Sequence, residues 1–212
     1  MEKTDLKKKY RQFYNPSSIT PAIVDIPEFQ YLMIDGIGMD FGDETSQDAI
    51  QALFGVAFKI KFLSKKERGI DYVVMPLEGL WWAEDMNDFI NGNRDKWCWT
   101  YMIMQPEFVA SDLMRAAIEE VKKSKTNKAL ERLRLEGYQE GISAQIMHIG
   151  PFAEEHPNIM KVHQFIEDNQ GTLEDKRRKH HEIYLSDFRK TAPEKMKTIL
   201  RQPFQYKGYC RN

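Results

Sequence analysis

The sequence predicts an α+β fold in which two similar units form one sheet. Three observations lead to this prediction. The chain has 212 residues, of which 42% are hydrophobic and 30% charged, a composition typical of a globular protein with a substantial core. Short apolar runs of β type alternate with segments of helical periodicity. Both halves show the order strand, helix, strand, so we expect a duplicated βαββ-type unit, with helices on one face and a ligand cleft on the other.

The first predicted unit follows a polar arm formed by residues 1–20. Its clearest element is a helix at 49–63, because apolar residues recur there at three- and four-residue spacing. Asp43 is placed to cap the start of this helix. The other elements of this half are predicted to be strands at 29–38, at 70–83 with a break at Pro76, and at 96–106.

The second predicted unit repeats this order after residue 106. We expect one domain at 21–212, built from repeats at about 21–106 and 107–212. The elements predicted for the second repeat are helices at 107–124 and 129–135, a strand at 141–151, a helix at 154–168, a strand at 180–187 and a closing helix stopped at Pro203.

Charge and cysteine content exclude several classes of protein. The net charge is -1, from 31 basic and 32 acidic residues, so no positive field favours direct binding to nucleic acid. No apolar run is long enough to span a membrane, and the N-terminus lacks an apolar signal core. Only two cysteines occur, Cys98 and Cys210, without metal-like spacing, which fits a reducing compartment. We therefore expect a cytoplasmic protein, a monomer, with a small-molecule partner.

Several long motifs in the second half carry a family resemblance. AQIMHIGPFAEEHPNIMKVHQFI and HHEIYLSDFRKTAPEKMKTILRQPF resemble the GyrI-like small-molecule-binding family, and YVVMPLEGLWW and WCWTYMIMQP are similar to its first half. One departure is Phe188, where the family pattern favours proline. The resemblance implies a duplicated βαββ-type fold with a cleft between the repeats. It also implies kinship with the stand-alone branch, which is associated with hydrolytic opening of cyclopropane-bearing genotoxins, because the chain shows no helix-turn-helix module.

Glu182 is the first candidate for chemistry. In HHEIYLSD, a period of two places His180, Glu182 and Tyr184 on one strand face and Ile183 on the other. We expect the Ile183 face to turn towards the helices and the Glu182 face towards the cleft. The resemblance implies that Glu182 is the pocket acid, with Tyr184 beside it. The alternative is a surface glutamate paired with a lysine.

Aromatic residues form the second candidate group. Trp97, Trp99 and Tyr101 alternate along one predicted strand and would make a flat stacking wall for a ligand. Ordinary core packing is the alternative, because aromatic stripes are usually buried. Trp81 and Trp82 point to opposite faces of their strand, so one of them is expected in the core and the other at the ligand.

Glu155 is the candidate for a second carboxylate. It follows Gly150-Pro151-Phe152 and precedes a helix, so it either offsets the helix dipole or helps Glu182 to orient water. No histidine or cysteine cluster has metal-ligand spacing, and no nucleotide-binding loop occurs, so neither a metal nor a cofactor is predicted.

The predicted residues are compatible with two functions. Glu182 could act as general base in a hydrolase of electrophilic, cyclopropanoid-type compounds, assisted by Glu155 or Tyr101. The alternative is a non-catalytic binder or sensor of bulky aromatic or cationic drugs, held by stacking and one buried charge. A third possibility is a protein-interaction module, which an exposed apolar patch would favour.

Overall fold

The fold contains both helices and strands, as the sequence predicts. The structure is a computed structural model that describes residues 3–38, 43–85, 88, 92–124, 126–173 and 179–208; Cys210 lies outside them. The helices are α1 Leu6–Lys9, α2 Arg11–Tyr14, α3 Glu44–Arg68, α4 Ser111–Lys122 and α5 His156–Asp168. The strands are β1 Ala22–Ile37, β2 Leu77–Trp82, β3 Cys98–Gln105, β4 Arg134–Ile149, β5 Gly171–Thr172, β6 His180–Tyr184, β7 Lys197–Pro203 and β8 Gln205–Tyr206.

The chain divides into two compact units. Residues 1–9 and 29–138 form unit 1, and residues 10–28 and 139–212 form unit 2. Each unit has a strand, a long helix and two further strands of five or more residues in chain order, and unit 2 also has the two-residue strands β5 and β8. In each, the last of these strands lies at the centre of a three-stranded antiparallel sheet. The prediction that the two repeats share one sheet and a cleft stays a prediction.

Unit 1 is built on the sheet order β1-β3-β2, with α3 packed against β3 and α4. Helix α3 is longer than the predicted 49–63, and the segment 44–46, expected to be a turn, is its first turn. Asp43 caps it, because its side chain accepts a 2.7 Å hydrogen bond from the Ser46 backbone N–H. Its C-terminus is closed by Gly69, which adopts a left-handed conformation with φ of 67°. Strand β2 begins directly after the break predicted at Pro76, but the part of the predicted strand before Pro76 forms only an isolated bridge, between Tyr72 and Thr4.

Unit 2 is built on the sheet order β6-β7-β4. Helix α5 packs on this sheet through Val162 and Ile166, which are buried against Leu200 of β7. The rest of this core, defined by buried apolar side chains from β4 and from the residue after β7, consists of Ala144, Ile146 and Phe204.

The predicted closing helix is wrong. Only a single 3-10 turn forms at Pro193–Lys195, and the segment then continues as strand β7. As the central strand, β7 is buried on both faces from Thr198 onward, so its side chains show neither the alternation of a half-exposed strand nor helical periodicity. The shorter helical piece predicted around 129–135 is a 3-10 helix, Lys128–Arg132, that ends before β4 begins.

A fully buried ionic network lies on one face of the unit 2 sheet. The Arg201 guanidinium donates to Glu140 at 2.9 Å, to Gln145 at 3.0 Å and to the Phe13 carbonyl at 2.7 Å. The His181 ring lies 3.0 Å from both Glu140 oxygens. Burial raises the pKa of Glu140, but the charges of His181 and Arg201 outweigh burial and bring it down to about 2.

We expect Glu140→Gln to lower the free energy of unfolding by about 3–5 kcal/mol, because Arg201 would keep a buried charge without its counter-ion. Since the native pKa of Glu140 is depressed, its contribution is present above the unfolded pKa and is lost as pH falls towards 2. Urea denaturation at pH 7 and at pH 3 measures both effects. The control is Glu136→Gln on the same strand, whose exposed pairing with Arg134 is worth at most about 1 kcal/mol. Equal losses in the two variants would contradict the prediction.

Candidate active site

The acidic site is organised by strand β6. Glu182 and Tyr184 lie on the same strand face, and the Tyr184 hydroxyl donates a 2.7 Å hydrogen bond to Glu182 Oε2. His180 shares this face, with its Nε2 3.4 Å from Glu182 Oε1. The Glu182 side chain is only 13% exposed, so it is not a solvated surface glutamate. The predicted alternation of His180, Glu182 and Tyr184 is confirmed.

The expected direction of that face is wrong. Glu182 pairs with Leu200 across the β6–β7 ladder, and Leu200 lies in the core beneath α5. Directly opposed residues of antiparallel strands point to the same side of a sheet. Glu182 is therefore on the helix-covered face of unit 2, and Ile183 is on the face that carries Arg201. The apolar character of Ile183 suggested the reverse, because the buried arginine on the same face, paired with His181, could not be read from the sequence.

Glu155 is the second carboxylate of the site. It immediately precedes α5 and is 5% exposed, and its Oε1 is buried without a hydrogen-bond partner among the described residues. Burial, together with the negative charge of Glu182, raises the pKa of Glu155 to about 9, and the neighbouring Thr198 side chain opposes this only in part. At neutral pH, Glu155 is a protonated acid beside Glu182. We name Glu155, Glu182 and Tyr184 the acidic site.

The turn before α5 sets the position of Glu155. The His148 ring contacts the Pro151 carbonyl at 3.2 Å through Nε2 and the Asn158 amide at 3.0 Å through Nδ1. Gly150 has a φ of 142°, and a side chain there would press on His148. The Gly-Pro turn and the first turn of α5 are thus tied to one buried ring. The sequence alone does not connect His148 with Glu155, because the contacts between them depend on the folded turn.

Phenylalanine, rather than tryptophan, flanks the acidic site within unit 2. The Phe152 ring lies edge-on to Tyr184 at 5.7 Å and to Phe188 at 6.3 Å. Sequence reasoning missed both phenylalanines as site residues. Both lie within motifs of the family resemblance: Phe152 follows Gly150-Pro151, and Phe188 stands where the family pattern favours proline.

The predicted aromatic residues of unit 1 form a buried cluster. Trp99 stacks on Tyr101 at 4.1 Å, and Trp81 meets Tyr101 edge-on at 5.8 Å. All three side chains are at most 2% exposed. The Trp99 indole N–H has no hydrogen-bond partner among the described residues. Trp99 lies against Gly36 of β1, whose missing side chain makes room for the indole. That these residues contact a ligand stays a prediction.

Trp81 and Trp82 do point to opposite faces, since Trp81 pairs with Trp99 and Trp82 with Cys98. Trp81 belongs to the core, and Trp82 is half-buried. Trp97 precedes β3 rather than lying within it, and its indole donates a 3.2 Å hydrogen bond to the Asp88 carbonyl. The aromatic face of β3 therefore begins at Trp99 and does not include Trp97.

Within the described ranges, no group of three or more histidine, cysteine or acidic side chains could hold a metal ion. None of the helices in those ranges has the length and apolar character that a membrane span requires.

Comparison with known proteins agrees with this architecture. The model of the GyrI-like small molecule binding domain matches residues 19–203, so the class is that of small-molecule-binding domains. The chain belongs to the GyrI-like family, as the motifs implied. A search of curated proteins gave no match.

Several solved structures are similar to the chain. A conserved protein from Listeria innocua is 41% identical over 96% of this chain and 100% of its own, with a TM-score of 0.85. A protein from the same organism, described as a hydrolase, is 40% identical over the same shares, with a TM-score of 0.83. The EcmrR C-terminal domain, 14% identical over 88% of this chain and 98% of its own with a TM-score of 0.55, shares the fold.

We expect Glu155→Gln to remove a pH dependence of stability. Because the native pKa of Glu155 is raised, its protonated side chain contributes to stability fully below the unfolded pKa. This contribution is lost as pH rises towards about 9. Each unit of pKa difference corresponds to about 1.4 kcal/mol, so the change amounts to a few kcal/mol. Thermal unfolding between pH 5 and pH 9 should show the wild type losing stability relative to the variant. Parallel curves for the two proteins would show that Glu155 is ionised in the native state.

We expect Gly36→Ala to displace Trp99, because a Cβ at residue 36 would lie 2.0 Å from the indole ring. Such overpacking costs about 1–3 kcal/mol and should shift the tryptophan emission. Gly55→Ala in α3 is the control, since its Cβ would make an ordinary 3.7 Å contact with Val121 and alanine favours a helix by about 0.5–1 kcal/mol. Denaturation followed by fluorescence measures both. Unchanged emission in Gly36→Ala would contradict the packing described for Trp99.

Proposed function

We propose that the protein hydrolyses electrophilic small molecules of the cyclopropanoid type, with Glu182 as general base. The observation that carries this proposal is the acidic site, in which a protonated Glu155 lies beside Glu182 under the cover of α5. Two carboxyl groups held in opposite protonation states are suited to paired acid and base work. Tyr184 fixes Glu182 by donating to Oε2, which leaves Oε1 to take a proton.

The proposed reaction opens a strained ring conjugated to a carbonyl group. Glu182 Oε1 removes a proton from water while the water oxygen bonds to a ring carbon. The ring carbon–carbon bond breaks, and its electron pair moves into the conjugated system, which ends as an enolate or phenolate oxygen. Glu155 then gives its proton to that oxygen. Strain supplies much of the driving force, so the protein needs only to position water and stabilise the developing charge.

Similarity to a described hydrolase supports this proposal. The Listeria innocua protein of that description is aligned over its whole length and 96% of this chain. Small-molecule binding, which the family description gives, supplies the first step. Detoxification of electrophiles would follow from the reaction, because ring opening by water consumes the electrophilic carbon.

A non-catalytic drug binder is the second candidate, and one contact favours it. The edge-to-face pair of Phe152 and Tyr184 lies beside the Glu182 carboxylate, a combination that attracts organic cations. A binder would use the charge of Glu182 without needing the protonated Glu155. The two functions therefore differ in what each carboxyl group must do.

We expect Glu182→Gln to lower turnover of a spirocyclopropyl cyclohexadienone by roughly two to four orders of magnitude, the usual contribution of a positioned general base. The product, a hydroxyethyl phenol heavier than the substrate by one water, is followed by mass spectrometry and phenol absorbance. Glutamine keeps the size and can still accept from Tyr184, but it cannot take a proton. Glu154→Gln is the matched control, because Glu154 is exposed.

The same variants distinguish the binder. A binder would not turn over the probe but would bind an aryl trimethylammonium cation. In that case Glu182→Gln should weaken binding of the cation and leave binding of its neutral tert-butyl analogue unchanged. This combination of results would show that the hydrolase proposal is wrong. Turnover equal in Glu182→Gln and the wild type would remove Glu182 from the proposed reaction.

A further inference from the structure

His180 is a polar residue of the same strand face that the proposed reaction does not use. Its Nε2 lies 3.4 Å from Glu182 Oε1, and its Nδ1 lies 3.4 Å from Gln202 Oε1. The side chain is 17% exposed. His180 thus stands between the carboxylate oxygen that Tyr184 leaves available and a neutral amide of the central strand.

The hydrogen bonds of Gln202 fix the tautomer of His180. The Gln202 amide nitrogen donates to the Pro203 carbonyl at 3.3 Å, so the amide oxygen is the group that faces His180. That oxygen can only accept, so Nδ1 of His180 carries the hydrogen and Nε2 of the neutral ring is an acceptor. Nε2 is buried and has no hydrogen-bond partner among the described residues. Nε2 therefore faces Glu182 Oε1, 3.4 Å away, as an acceptor.

We propose that His180 is a positioning residue for Glu182 and receives at Nε2 the proton that Glu182 Oε1 removes from water. This inference rests on the proposed hydrolase function. A proton on Glu182 Oε1 would donate to Nε2, and its transfer restores the carboxylate and produces an imidazolium. The imidazolium then donates to Gln202 through Nδ1 and to Glu182 through Nε2, so both of its N–H groups are used. One turnover leaves an extra proton on His180 and none on Glu155, so return of that proton through Glu182 to Glu155 restores both groups before the next turnover.

The titratable groups around His180 are Glu182, His163 and Glu155. Glu182 on its own strand favours the imidazolium, whereas His163 of α5 opposes it when charged. The pKa of His163 is lowered by burial and then by His180, partly offset by Gln202 and Glu167, with His156 adding to the lowering. Glu155 faces Glu182 and is protonated, so it adds no charge there.

The inference predicts that removing Nε2 slows the chemical step and leaves substrate binding intact. His180→Asn keeps an N–H donor in place of Nδ1 and removes Nε2. We expect this variant to lower kcat on the spirocyclopropyl cyclohexadienone about tenfold or more and to leave KM unchanged. Added imidazole should restore part of its rate.

His156→Asn is the matched control, because it makes the same change at an exposed histidine at the start of α5. A His180→Asn enzyme with the kcat of the wild type, alongside an inactive Glu182→Gln, would overturn the relay and leave the hydrolase function standing. A second measurement does not depend on turnover: nitrogen-15 NMR of the wild type should show neutral His180 with its hydrogen on Nδ1. A hydrogen on Nε2 would overturn the relay alone, whereas a wild type that never opens the ring would overturn the function itself.

Discussion

The need to pair one buried guanidinium fixes the register of unit 2. Arg201 lies at the centre of β7, and its donors are used by Glu140, Gln145 and the Phe13 carbonyl. Its ladder partner on β6 is His181, which joins the same network. A slip of one residue would turn His181 away from Glu140 and place Glu182 in its position. The placement of Glu182 under α5 therefore depends on a charge network on the opposite face of the sheet.

Burial then decides what the acidic site can do. Glu155 is held at the start of α5 by the His148 contacts, and the negative charge of Glu182 acts on it. When two buried carboxyl groups lie close together, ionising both is unfavourable, so one of them keeps its proton. Tyr184 stabilises the ionised partner by hydrogen bonding. The difference between the two acids comes from their surroundings, because their side chains are chemically identical.

The aromatic residues divide between two roles. Trp81, Trp99 and Tyr101 fill the interior of unit 1, where the absence of a side chain at Gly36 admits the Trp99 ring. Phe152, in contrast, contacts Tyr184 of the acidic site. Large aromatic rings stabilise a fold most when they are fully buried, and Trp81 and Trp99 of the sheet lie in the core. A ring at the end of a turn, such as Phe152, has less core to join and remains near the polar groups.

The sequence by itself determined the class of fold, the family and the strand face that carries Glu182 and Tyr184, because these follow from local periodicity and from motifs. It also placed the cap at Asp43 and the break at Pro76, which are local backbone effects. Only the tertiary structure decided that the segment before Pro203 is a central strand, since burial on both faces erases its alternation. It likewise decided which side of the sheet α5 covers and that Glu155 keeps its proton, because both depend on partners far away in the chain.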